Sequence, residues 1–217
     1  MCGRFDLQLP AEKLGVIYGA DLALIGAWRP RYNVAPTQTV PLLLETSSGR
    51  VFRLARFGLT PSWSSQPQRQ IINLRAETMQ HKPFFRQQLT THRCIIPATG
   101  FFEWQTSADR TKTPFRFSPT DRETFSLAGI WEEQSNRTMT FAIVTGPPNE
   151  LLQPIHNRMP LILDHRRLDV WLNPTTAPDE IFGMMTVFPA DQMRVQQVSK
   201  DVNNPANDTS AVVAPIN

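Results

Sequence analysis

The chain has 217 residues, 41% of them apolar, which suits one sizeable core and excludes global disorder. A formal net charge of +3 excludes a highly charged tail protein, and no apolar run approaches the ~18 residues of a membrane span. Two cysteines, Cys2 and Cys94, are too few for a disulfide scaffold or a cysteine-ligated structural zinc, so neither metal nor cofactor is expected.

The start of the chain lacks a charged region followed by an apolar stretch, so a soluble, cytoplasmic protein is expected. Among the 22 basic residues 18 are Arg and 4 are Lys. Arg presents a planar fork that matches phosphate and stacks on bases, so this bias fits nucleic-acid contact; a GC-rich genome produces the same bias.

In chain order, Pro10 opens a short helix over residues 11–19, with Leu14, Ile17 and Tyr18 on one side. Strand-like runs follow at Val40–Glu45, Val51–Phe57, Cys94–Ala98, Phe101–Trp104, Pro114–Phe117, Phe125–Trp131, Met139–Thr145, Pro160–Leu163 and Met184–Phe188. Helices are expected over Lys82–Thr90 and Asp164–Leu172, the second capped by Asp164. Nineteen prolines divide the chain into short elements, and no linker splits it. The pattern is that of an α+β single domain over residues 1–217, with residues 203–217 a poorly ordered tail onto which Val212 and Val213 are able to dock.

Position 2 carries the most distinctive chemistry. Cysteine directly follows the initiator methionine, and removal of Met1 gives Cys2 a free α-amine beside its thiol. Such an aminothiol condenses with an aldehyde to an imine, and the thiol then closes a thiazolidine ring. The amine titrates near ~8 and the thiol near ~8.5, so both have reactive fractions at neutral pH. Arg4, two residues away, is expected either to favour the thiolate or to be an ordinary surface charge.

Four further stretches carry polar groups in site-like settings. Arg31-Tyr32-Asn33-Val34-Ala35-Pro36 reads as a turn entering the Val40 strand, structural or functional. In Ile72 to Thr78, an extended backbone places Asn73, Arg75 and Glu77 on one face, either a site or a solvated strand face. Glu103 lies in the aromatic run Gly100-Phe101-Phe102-Glu103-Trp104; buried there its pKa rises and it serves as a general acid or base, whereas at a strand edge it faces water. His156, in His156-Asn157-Arg158-Met159-Pro160, is a proton shuttle or a hydrogen-bonded loop residue. Trp63 is a stacking platform for a base or part of the core.

In order and spacing these blocks resemble the SRAP (SOS-response-associated peptidase) family of abasic-site processing proteins. The likeness runs through Met1 to Arg4, Arg31 to Pro36, Gly58 to Trp63, Asn73 to Thr78, Arg93-Cys94, Gly100 to Trp104, His156 to Pro160 and Val198 to Asn203. It implies an α+β fold with a mixed, mostly antiparallel, barrel-like strand core, a few peripheral helices and a basic channel.

It also implies a monomer whose partner is single-stranded DNA containing an abasic site, coupled covalently through Cys2. Cys2, Asn73, Glu103 and His156 are the implied catalytic set. Arg4, Asn33, Trp63, Arg75 and Arg158 are the implied DNA contacts. Some members carry a second Trp where this chain has Ser64, which weakens stacking beside the lesion. Two alternatives stay open: a cysteine hydrolase with Cys2 as nucleophile, including self-removal of Met1, and a single-strand binder without catalysis.

Overall fold

The computed structural model describes residues 2–61, 70–81 and 83–216. In chain order these form β1 (Phe5–Leu7), α1 (Ala11–Tyr18), β2 (Arg31–Val34), β3 (Thr39–Thr46), β4 (Gly49–Phe57), β5 (Asn73–Arg75), α2 (Ala76–His81), α3 (Pro83–Thr91), β6 (Arg93–Ala98), β7 (Gly100–Thr106) and β8 (Lys112–Pro119). The second half adds β9 (Phe125–Glu133), β10 (Met139–Gly146), β11 (Met159–Pro160), β12 (Ile162–Leu163), α4 (Leu168–Leu172), α5 (Pro178–Gly183) and β13 (Met193–Gln197), with short 3-10 turns between. The fold is α+β, and its sheets are mostly antiparallel.

β10 organises the larger sheet. Every residue of Met139–Gly146 is buried, as a near-continuous apolar run demands of a central strand. One edge pairs antiparallel with β9, Met139 opposite Glu133. The other pairs parallel with β4 at Thr140–Arg56 and with β5 at Ile143–Asn73. The hairpin of β3 and β4 then leads through Leu43–Ile95 to β6, and β6 pairs with β9. The pairings therefore close into a ring. Since β3 and β6 share one register pair, it is ring-like without being a barrel.

The second sheet has the order β13-β8-β7-β1-β2. Its apolar face carries Cys2, Phe5, Val34, Phe101 and Phe117 into one core with Val40, Phe57, Ile96, Phe141 and Ile143 of the ring. Aromatic contacts tie the layers: Phe5 meets Phe57 edge-on at 5.7 Å, and Phe57 stacks on Phe141 at 5.1 Å. A second core on the other side of the ring holds the helices through Leu14, Tyr18, Leu89, Trp171 and Ile181. α1 buries Ala11, Leu14 and Tyr18 and stops at Gly19, whose φ of 59° suits the left-handed C-cap.

Several elements depart from expectation. Arg31–Val34 is a strand and not a turn, because its backbone completes the edge beside β1, Phe5 opposite Val34. The stretch 73–78 is extended only to Arg75; α2 begins at Ala76, so Glu77 leaves the face that Asn73 and Arg75 share. Met184–Phe188 forms no strand; Phe188 is buried edge-on against Phe125 instead, and its carbonyl accepts from Asn149 Nδ2 at 3.0 Å. Pro160–Leu163 splits at buried Leu161, its halves pairing with β10 and β9. The segment after residue 203, read from composition as a loose tail, packs: Val212 is buried beside Phe102, Val198 and Val202.

Candidate active site

β1 places Cys2. It lies between β2 and β7, with Phe5 opposite Phe101 and Asp6 opposite Gly100. The Phe102 N–H donates to the Arg4 carbonyl at 2.9 Å, which continues this register towards the chain start. Antiparallel pairing thereby lays Cys2 and Gly3 alongside Glu103 and Trp104. Cys2 is fully buried in the inter-sheet core, and its Sγ–H points at the Arg4 carbonyl, 3.9 Å away.

Burial pushes the Cys2 thiol well above its ordinary value, and the charge of Glu103 adds to the rise. The expected lowering by the Arg4 guanidinium does not occur, because that group turns elsewhere; Arg4 lowers the thiol only through its backbone hydrogen bond. Arg4 Nη1 donates to Asn33 Oδ1 at 2.8 Å and to the Val202 carbonyl, and its Cζ lies 5.8 Å from the Trp104 ring centre.

Glu103 occupies the middle of β7 and is 3% exposed. Burial raises its pKa; the nearby charge of His156 acts the other way. Glu103, Trp104, Thr106, Lys112, His156 and Asn203 line an open pocket of about 470 Å³. The His156 ring is set by its own loop: Nδ1 lies 3.0 Å from the Arg158 N–H and 3.2 Å from the Arg158 carbonyl. Cys2, Glu103 and His156 thus form one electrostatically linked group, in which Glu103 and His156 line the pocket and Cys2 is buried.

Asn73 enters from β5. Among the described residues neither end of its buried side-chain amide has a hydrogen-bond partner. A buried amide with both ends open costs free energy unless something else fills it. β5 pairs with β10 as far as Arg75 opposite Thr145, and the Thr145 carbonyl accepts from Arg158 Nη2 at 2.6 Å. The loop carrying His156 and Arg158 therefore joins β5 to the Glu103 pocket.

The implied DNA contacts fare differently. Arg75 is exposed, and its charge reaches Glu77. Arg158 is mostly engaged within the protein, forming a bidentate pair with Glu77 at 2.7 and 2.9 Å. Asn33 is fully buried and offers a strand no exposed atom; its amide donates to the carbonyls of Asn207 (2.8 Å), Asn204 (3.0 Å) and Val202 (3.2 Å) while its oxygen holds Arg4. Trp63 lies outside the described residues.

Sequence reasoning passed over Asp6 and Arg116, a buried ion pair anchored on the strand that follows Cys2, and Lys112 in the pocket. Only their long-range pairing reveals them; nothing in the local sequence marks them.

The family model for "SOS response associated peptidase (SRAP)" matches residues 1–205. The chain belongs to the SRAP family. Among similar SRAP relatives, the abasic site processing protein YoqW of Bacillus subtilis is 37% identical, with 98% of this chain and 99% of YoqW covered. The abasic site processing protein YedK of Escherichia coli is 29% identical over the full length of both chains. The chicken abasic site processing protein HMCES is 30% identical, with 78% of its length covered. A crystal structure of a protein from Bacteroides thetaiotaomicron superposes with a TM-score of 0.88 over 100% of both chains at 26% identity.

Proposed function

We propose that this SRAP protein captures abasic sites in single-stranded DNA, linking itself to the lesion through a thiazolidine at Cys2 once Met1 is gone, and so shields the damaged sugar. The relatives named as abasic site processing proteins support the substrate class. The observation that carries the reading is the electrostatic link from buried Cys2 to Glu103 and from Glu103 to His156, the last two lining an open pocket.

In this reading the closed sugar opens first. A base takes the proton from the C1′ hydroxyl while an acid gives one to O4′, releasing the aldehyde. Glu103, whose pKa burial raises, gives and takes these protons, and His156 relays them. The Cys2 amine attacks C1′, and water leaves as the imine forms. The thiol sulfur then adds to C1′, and its proton passes through Glu103 to the ring nitrogen. A thiol kept protonated until a cationic imine appears beside it is spared earlier reactions. Asn73, with both ends of its amide open, holds the amine and thiol in register. Closing the ring diverts the imine from β-elimination, which breaks the strand.

The upward shift of the Cys2 thiol weighs against the hydrolase alternative, in which the sulfur acts as a standing thiolate. The test is a denaturing gel with intact-mass measurement, using abasic and undamaged oligonucleotides. The expected product appears with the abasic strand alone, at the summed mass of DNA and Met1-less protein minus one water. Retardation on a native gel without a denaturation-resistant band selects a non-covalent binder. Peptide turnover without DNA attachment selects the hydrolase.

A further inference from the structure

Glu103 and His156 serve the proposed chemistry, but Lys112 lines the same pocket without a part in it. On the β7–β8 hairpin Trp104 stands opposite Pro114 and Thr106 opposite Lys112. Residues two apart, and residues directly opposite each other, project from one face of a sheet. Trp104, Thr106 and Lys112 therefore share one face of the hairpin running towards its tip, and with Glu103 they line the same pocket.

The facing wall is the turn Lys200–Asn203. Asn203 Oδ1 accepts from Trp104 Nε1 at 2.7 Å, which fixes the indole, and Arg4 lies over its ring. Two of the chain's four lysines, Lys112 and Lys200, flank this end. The nearby carboxylate of Asp109 is occupied by the Thr111 N–H and hydroxyl and feels the charge of Lys200. Lys112 forms no salt bridge among the described residues. A flexible ammonium beyond a fixed aromatic plate suits a phosphodiester whose neighbouring base stacks on the plate.

We propose that Lys112 holds the next phosphate out from the captured sugar, so that the strand leaves the lesion along the β7–β8 hairpin, over Trp104. This rests on the single-strand reading above. Lys112 is then a positioning residue that gives the strand its direction, while the chemistry stays with Glu103 and His156.

The test compares the parent protein with Lys112→Ala and Lys112→Arg. Single strands carry the abasic site in the middle, at the 5′ end or at the 3′ end. With the central lesion, Lys112→Ala is expected to weaken binding about three- to tenfold and to lower the slope of log affinity against log salt by about 0.7. The rate of attachment at saturating DNA stays within about twofold of the parent, and Lys112→Arg restores affinity. The defect disappears on one of the two end-lesion strands, the one without nucleotides on the Lys112 side. Unchanged affinity and salt slope in Lys112→Ala, or an equal defect on both end-lesion strands, overturns the proposal. A parent protein that binds the strand but never attaches to it sinks covalent capture and leaves the Lys112 comparison fully readable.

Discussion

Arg116 grips Asp6 with two hydrogen bonds, Nε to Oδ1 at 2.8 Å and Nη2 to Oδ2 at 2.9 Å, in a pair buried behind the Cys2 strand. Asp6 is fully buried, and Thr99 adds a hydroxyl donor to its carboxylate. Arg116 also donates to the Thr99 carbonyl at 3.0 Å. Gly100 leaves room for the guanidinium, since a Cβ there meets Arg116 at 2.8 Å. The pair thus fixes the junction of β1, β7 and β8 that places Cys2.

Removing one partner of this pair strands the other charge in the core. Asp6→Ala is expected to cost about 3–5 kcal/mol in urea unfolding. A double change of Asp6→Leu and Arg116→Met recovers most of that loss, because no buried charge is left alone. Equal losses in the single and double variants would show that β1 depends on this pair for more than charge balance.

Glu103→Gln separates catalysis from stability. Attachment to abasic DNA is expected to slow about 10²–10³-fold with little change in affinity. The folded-state pKa of Glu103 is raised above its unfolded value. Its contribution to stability is therefore full below the unfolded pKa and lost as pH rises through the folded pKa. At pH 7.5 the Gln variant melts above the parent, and the gap closes as pH approaches 4. Parallel melting curves across that range would remove burial as the cause of the shift.

Cys2→Ser keeps the amine and loses the sulfur. The expected products are a transient imine, trapped by borohydride, and increased strand cleavage. A heat-stable adduct of the Ser variant contradicts ring closure. In the parent protein without DNA, the buried, up-shifted thiol is expected to react with iodoacetamide at pH 8 at least tenfold more slowly than free cysteine, with rapid labelling on unfolding.

Asn33→Ala removes the donor from the Asn207 carbonyl and one of two from the Asn204 carbonyl, and leaves Arg4 only its bond to the Val202 carbonyl. The half-buried Asn207 carbonyl left unpaired costs about 1 kcal/mol, and Asp208, which accepts from the backbone N–H groups of Tyr32 and Asn33, holds part of the segment in place. A lower melting temperature together with protease cleavage after residue 203 is expected. Cleavage that matches the parent's argues that Asp208 alone pins the segment.

The strands with uninterrupted apolar or alternating patterns were legible in the sequence: β3, β4, β6, β9 and β10 all fall where the runs place them. β1 has three residues and β13 reads MRVQQ; neither carries enough pattern to be seen, and both exist because a partner edge accepts them. Glu77 shows the limit of counting by twos. The backbone changes from strand to helix at Ala76, so Glu77 turns to Arg158 while Asn73 stays inward. Residue type pointed to Glu103 as an acid or base, and its burial supplies the physical reason. The direction of the Cys2 shift was hidden, because it depends on what encloses the thiol and not on Arg4 two positions away.

The enclosure of Cys2 has a consequence for biosynthesis. The residues beside it belong to β7, and the loop carrying His156 closes the same pocket. A growing polypeptide therefore keeps its leading end open to trimming enzymes until roughly 150 residues have been made. At about 5–20 residues per second the proposed removal of Met1 has on the order of 8–30 s before the fold shuts over the sulfur.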